Sequence, residues 1–204
     1  MTRRRAREPG RRRPAPATLR LLQQFINTYN VERHHLGLRT EEFASSADLR
    51  RWLVHHGLLP RGAAVRAAEV PRALAAREAL RRLALAHNGR PVDPAAVTTL
   101  NRLARAARVA VHVGRDGRMR LESHARGVTG ALGRLVAAAF TAQIDGTWPR
   151  LKACRRCHWA FYDRSKNRSG RWCAMSICGN RTKARAFRSR HRWRGPRTEQ
   201  SRRD

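Results

Sequence analysis

The sequence predicts a mostly α domain of the α+β class with one β-hairpin, followed by a small module (hairpin plus helix) organised by four cysteines. Three observations lead there. Apolar residues recur at three- and four-residue spacing through most of residues 18–149, the signature of amphipathic helices. The period changes to two in "ARVAVHVGRDGRMRLES", as paired strands require. All four cysteines fall between positions 154 and 178, a clustering that asks for a common purpose.

Residues 1–17 are rich in Arg, Pro and Gly with almost nothing to bury, and read as a disordered basic arm. In "TLRLLQQFINTYN", Leu19, Leu22, Phe25 and Ile26 share one helical face. In "SSADLRRWLVHHGLL", Ser46 is the expected N-cap, Leu49, Trp52 and Leu53 form the apolar face, and Gly57 is the stop. A longer helix runs from near Ala64 to His87, or from nearer Val70 if Pro71 is to sit in its first turn. Gly89 ends it; Asp93 then caps, and Pro94 opens, a helix to about Ala107. The hairpin near 109–122 turns around Asp116-Gly117. "VTGALGRLVAAAFTAQID" is apolar almost all round and is expected at the centre of the core. "GTWPR", broken by Gly146 and Pro149, marks the junction, giving units of 18–149 and 150–195 with a basic tail at 196–204.

The chain carries 45 Lys plus Arg against 14 Asp plus Glu, a net charge of +31. Such an excess repels itself unless a polyanion offsets it, so nucleic acid is the expected partner. Codon bias would explain why only Lys152, Lys166 and Lys183 are lysines among so many arginines. It would not explain the scarcity of acids. No run approaches the roughly 20 apolar residues that span a bilayer, and no apolar signal core follows the basic N-terminus. The expectation is a cytoplasmic, nucleoid-associated protein with no membrane partner. No glycine-rich nucleotide loop, nucleophile elbow or paired carboxylates mark a catalytic site, so no enzyme activity is expected. The pairs His34-His35 and His55-His56 point about 100° apart on a helix, and read as exposed histidines at helix ends.

The thiols are arranged as Cys154-x2-Cys157, a fifteen-residue interval, then Cys173-x4-Cys178. Two short-spaced pairs joined by a loop let four sulfurs converge on one zinc ion at about 2.3 Å. Two disulfides are the alternative, disfavoured in a reducing compartment; a redox Cys-x-x-Cys would leave the second pair unexplained. With four protein ligands the site is closed to water and structural. His158 is expected to be exposed rather than coordinating. Trp159, Phe161 and Trp172 either form an apolar layer over the metal or stack on bases.

After Cys178, "GNRTKARAFRSRHRWR" reads as a helix, with Gly179 a permissive backbone position and Asn180 a cap. Arg181, Arg185, Arg188 and Arg192 recur at four, three and four residues as one cationic stripe, with Lys183 nearby. Ala184, Phe187 and His191 lie on another face, where Phe187 is expected to pack on the zinc hairpin. Arg164, Lys166, Arg168 and Arg171 add charge from the intervening loop. These nine cations are the candidate nucleic-acid contacts. Asn180 and Arg181 suit adenine and guanine in principle; Arg181 pairing with Asp163 is the structural alternative.

The segment "CRRCHWAFYDRSKNRSGRWCAMSICGNRTKARAFRSRHR" closely resembles the CGNR zinc-finger family of bacterial proteins. The resemblance rests on Cys154, Cys157, "FYD" at 161–163, "NRSGRWC" at 167–173, Met175 and "CGNR" at 178–181. In that family the finger follows a domain called ABATE, associated with stress-induced transcription regulation. "FINTYN" and "DLRRWLVHHGLL" are similar to that domain, so the resemblance spans nearly all of 18–192 and leaves out the arm. It implies a zinc-dependent DNA-binding transcriptional regulator whose N-terminal domain senses a small-molecule ligand or forms a homodimer. The alternative is a nonspecific RNA- or nucleoid-binding protein.

Overall fold

The structure is a computed structural model that describes residues 15–30 and 40–191. Most of the basic arm, His34, His35, Arg192 and the tail at 196–204 lie outside the described residues. The N-terminal domain contains α1 (Ala17–Ile26), the short pair β1 (Tyr29–Asn30) and β2 (Thr40–Glu41), α2 (Ser46–His55), α3 (Val70–Ala86), α4 (Pro94–Ala106), β3 (Val109–Val113), β4 (Met119–Ser123) and α5 (Gly127–Ile144). The cysteine module adds β5 (Leu151–Ala153), β6 (Ala160–Tyr162) and α6 (Asn180–His191). Each strand pair is antiparallel. The α+β class is as expected.

Periodicity located the core faces. Leu19, Leu22, Phe25 and Ile26 of α1 are fully buried, as are Leu49 and Leu53 of α2. Trp52 completes an aromatic cluster, its ring centroid 5.4 Å from Phe25 and 5.7 Å from Phe43. The cap of α2 shifts by one residue: the Ser45 hydroxyl, not that of Ser46, accepts from the Asp48 amide at 3.1 Å. Ser45 has the extended backbone (φ −142°) that a cap needs, while Ser46 is already helical. Pro71 sits in the first turn of α3, where its missing N–H costs no hydrogen bond. Asp93 caps α4 by accepting from the Ala95 amide at 2.8 Å.

α5 is long and apolar enough to cross a membrane by length and composition alone, yet it is the central helix of the core. Val128, Ala131, Leu132 and Leu135 are buried, and α5 packs against α1, α4 and the β3–β4 hairpin. Its glycines permit close approach. A Cβ on Gly133 would lie 2.4 Å from the Ala107 Cβ and 2.6 Å from the Ser123 hydroxyl. The hairpin register places Val111 opposite Leu121 and Val113 opposite Met119.

The "GTWPR" junction is packed, not loose. Trp148 is buried in the N-terminal core with its ring edge-on to His87, and Arg150 donates to the carbonyls of Asp163 and Ser165 at 3.1 and 2.9 Å.

Two arginines are buried on α3. Arg77 makes a two-pronged ion pair with Glu41 at 2.6 and 2.7 Å and also reaches Glu78. Arg81 pairs with Glu78 at 2.9 Å and donates to the Ile26 carbonyl at 2.5 Å. Two partly exposed carboxylates thus balance two buried guanidinium groups, the pairing under which buried charge is tolerated.

Candidate metal centre and cationic surface

The knuckle begins where β5 ends. The Cys154 amide donates to the Trp159 carbonyl at 2.9 Å and the His158 amide to the Cys154 carbonyl at 2.9 Å. His158 takes a left-handed backbone (φ 58°) to close the turn. That turn holds Cys154 and Cys157 on one side of the β5–β6 hairpin. Of the second pair, Cys173 lies just ahead of a single π turn, Met175–Gly179, which carries Cys178 and runs directly into α6. Gly179 serves close packing here, not an unusual backbone angle. A Cβ would meet the Met175 sulfur at 2.3 Å and Trp172 Cδ1 at 3.1 Å.

The four sulfurs are buried and lie within 4.8 Å of one another. Cys157 and Cys173 are 3.5 Å apart, and Cys173 and Cys178 are 3.6 Å apart. Tetrahedral sulfurs at the usual zinc distance would be about 3.8 Å apart, whereas a disulfide needs about 2.05 Å. The donor set therefore fits one zinc ion with no position left for water. Hydrogen bonds from Cys157, Cys173 and Cys178 drive the Cys154 thiol far below its ordinary range. Cys157 and Cys173 are driven up in turn. A cation between the sulfurs is what would hold all four as thiolates at this spacing.

His158 is half-buried and outside the ligand set. Burial and the neighbouring Arg81 lower its pKa. Trp159 and Phe161 are buried at 5 % and 2 % exposure, which removes them from any base-stacking role. Trp172 is half-buried against the same cluster.

A second node lies under the loop after β6. Asp163 accepts from Lys152 Nζ at 2.8 Å, from the Ser165 amide at 3.0 Å and from the Gly170 amide at 2.8 Å. Lys152 also donates to the carbonyls of Arg168 and Gly170. Burial alone would raise the Asp163 carboxyl, but these donors more than offset it and hold it at about 2. Asp163 thus takes Lys152 as its ion-pair partner, where the sequence had suggested Arg181 as one option. A Cβ on Gly170 would come within 2.8 Å of the carboxylate, so only glycine lets the loop close over it.

The module is tied to the N-terminal domain by buried amides. The Asn27 side chain accepts from the Ala160 amide at 2.8 Å and donates to the Ala160 carbonyl at 2.9 Å, imitating a strand partner. Asn88 donates to the carbonyls of Ala153 and Arg171 at 2.8 and 2.9 Å. Arg81 donates to the His158 carbonyl at 2.9 Å.

The candidate nucleic-acid residues are all at the surface. Arg164, Lys166, Arg168 and Arg171 are exposed on the loop, and Arg181, Lys183, Arg185 and Arg188 are exposed on α6; Arg192 lies outside the described residues. Two expectations for this helix need correction. Asn180 is not a cap: its backbone is helical (φ −63°) because the π turn already precedes it. Phe187 does not pack on the zinc hairpin. It is 55 % exposed and stacks on His191 at 3.9 Å, and α6 buries none of its residues.

Two residues that sequence reasoning passed over join this surface. Arg155 and Arg156, between the knuckle cysteines, line a groove of about 470 Å³ with Trp172, Arg181, Arg185 and Arg188. The signal was present in "CRRC", where two arginines stand between the knuckle cysteines.

The CGNR zinc-finger family matches residues 150–191. The ABATE family, described as a putative stress-induced transcription regulator, matches residues 19–145. No curated protein matches the chain. Together with four converging sulfurs, these matches mean that the chain belongs to the ABATE family and ends in a CGNR zinc finger with one structural zinc site.

Proposed function

We propose that the protein is a DNA-binding transcriptional regulator, not an enzyme, whose zinc finger carries the DNA contacts. One observation carries the reading: α6 buries nothing and presents Arg181, Arg185 and Arg188 along one side, anchored directly to the zinc centre through the π turn. A helix that buries none of its residues gains little stability from packing, which supports a role for its charge in binding a partner. Guanidinium groups at helical spacing suit the phosphate backbone and the guanine edge in the major groove. No carboxylate occurs between Asp163 and Glu199, and Asp163 is committed to Lys152. In this reading the protein works in the cytoplasm on the nucleoid, and the ABATE domain receives the signal by ligand binding or homodimerisation.

Arg185→Ala combined with Arg188→Ala is expected to weaken duplex binding and to flatten its salt dependence. The slope of log K against log salt falls by about 0.9 for each phosphate contact removed. Fluorescence anisotropy across a salt series measures it, with zinc content and circular dichroism as controls on folding. An unchanged slope would move the contact surface away from α6. Selection of the zinc-loaded chain against a random duplex library at about 200 mM salt tests sequence specificity. An enriched motif supports a regulator. The absence of one, with RNA competing equally, supports the general polyanion binder that a net charge of +31 also favours.

A further inference from the structure

The cationic surface is not uniform. Most of it is convex, on α6 and the loop, but between the knuckle and α6 it folds into a groove. Arg155 and Arg156 line it from the knuckle, Arg181, Arg185 and Arg188 from α6, and Trp172 is its aromatic lining residue. Its volume, about 470 Å³, falls in the range of clefts that take small ligand groups, about 300–1,000 Å³.

The walls are held in place. Arg155 Nε donates to the Asn88 carbonyl at 2.7 Å, which ties the knuckle side to the end of α3. Arg156 lies 3.9 Å from the Cys178 sulfur, beside the zinc centre. Trp172 rests against Gly179, where a Cβ would stand 3.1 Å from its ring. Trp159 and Phe161 are sequestered in the finger's core, which leaves Trp172 as the finger's indole at the groove among the described residues.

A convex arginine helix suits a duplex, but a duplex offers no free base face to a recessed indole. A cationic groove with an aromatic in its wall is the arrangement that holds an unpaired nucleotide, with the base stacked and the flanking phosphates on arginines. We infer that the groove between Arg155, Arg156 and α6 binds an unpaired nucleotide of a nucleic-acid strand, stacked on Trp172. This rests on the proposed nucleic-acid function and adds a single-stranded mode to it. Charge favours a strand over a free nucleotide. Arg171 directly precedes Trp172, and Lys183 and Arg190 continue along α6, so positive charge extends beyond the groove for further phosphates.

The test titrates the zinc-loaded full chain against labelled oligothymidine and oligouridine of about 12 nucleotides and against a duplex, with anisotropy as the readout. The parallel titrations identify whether DNA or RNA strands are preferred. Trp172→Ala is expected to weaken single-strand binding about tenfold or more, the loss of one base–aromatic stack, while duplex affinity changes by less than about twofold. Trp172→Phe should restore most of the single-strand affinity. Because Trp172 also touches the finger's core, a measurement on the unaltered chain runs beside the variants. An oligonucleotide carrying 5-iodouracil should photo-crosslink to Trp172, located by mass spectrometry.

Equal losses for strand and duplex in a Trp172→Ala chain that keeps its zinc would overturn the groove assignment, as would a crosslink found only elsewhere. A nucleoside triphosphate that displaces the oligonucleotide at matched concentration would overturn the strand as occupant. Duplex binding without any single-strand binding would sink this inference and leave the proposed function standing. Failure of both ligands to bind would remove the proposed function itself.

Discussion

Replacing Cys173 with serine is expected to abolish zinc binding and unfold the finger. A serine hydroxyl stays protonated at neutral pH and does not replace a thiolate, and three remaining sulfurs leave the tetrahedron open. Structural zinc contributes an apparent 10–16 kcal/mol in small finger peptides, roughly, far more than the few buried side chains of this module. Around the sulfurs the buried apolar cluster of the finger consists of Trp159, Phe161 and the cysteines themselves, with Trp172 and Ile177 partly buried against it. The damage should spread, because Asn27 and Asn88 satisfy their side-chain amides on Ala160, Ala153 and Arg171. Unfolding the finger leaves those amides exposed to a disrupted interface, so the N-terminal domain should lose thermal stability as well. Metal analysis of the purified variant should read zero zinc per chain, and circular dichroism should show one broadened, lowered transition. Retention of one zinc ion with an unchanged Tm would sink the four-thiolate assignment.

Asp163→Asn is expected to cost about 3–5 kcal/mol at neutral pH, the penalty for leaving one member of a buried ion pair without its partner. Asp163 and Lys152 are each buried, so water does not compensate Lys152 when the carboxylate is gone. Urea unfolding of the zinc-loaded chain measures the loss; a change below about 1 kcal/mol would mean that the pair is replaced by solvent. The wild-type carboxyl should also leave an acid signature. Its folded pKa of about 2 lies below the unfolded value of about 3.9. The stability it contributes is therefore complete above about pH 4 and is lost as pH falls through 2, amounting to about 2–3 kcal/mol. Zinc release at acid pH affects wild type and variant alike, so the difference between their pH profiles isolates Asp163. Equal slopes between pH 4 and 2 would contradict the assignment.

Helices, hairpin and metal ligands were legible because each depends on short-range pattern. The three- and four-residue spacing of Leu19, Leu22, Phe25 and Ile26 identified a buried face before any neighbour was known. Asp93-Pro94 and Asp116-Gly117 carry their own backbone preferences, and both sit where those preferences placed them. The cysteine spacing alone brought four sulfurs to one point. Where the short-range reading slipped, a neighbouring residue with similar chemistry won. Ser45 capped α2 in place of Ser46, and a π turn displaced Asn180 from the cap of α6.

By itself, the sequence determined the class of fold, the identity of the metal ligands and the excess of arginine at the C-terminal end. Only the tertiary structure decided which charges are interior. Arg77 and Arg81 read as ordinary surface arginines of a helix, yet their partners lie 36 residues back at Glu41 and 77 residues ahead at His158. Lys152 and Asp163 are likewise matched across a strand turn and a loop. The tertiary structure also decided that Trp159 and Phe161 are sealed inside while Trp172 remains at a groove. The physical reason is range. Periodicity and turn chemistry act over a few residues and are written in the local chain, whereas the burial of a charge or an indole depends on which distant segments close over it.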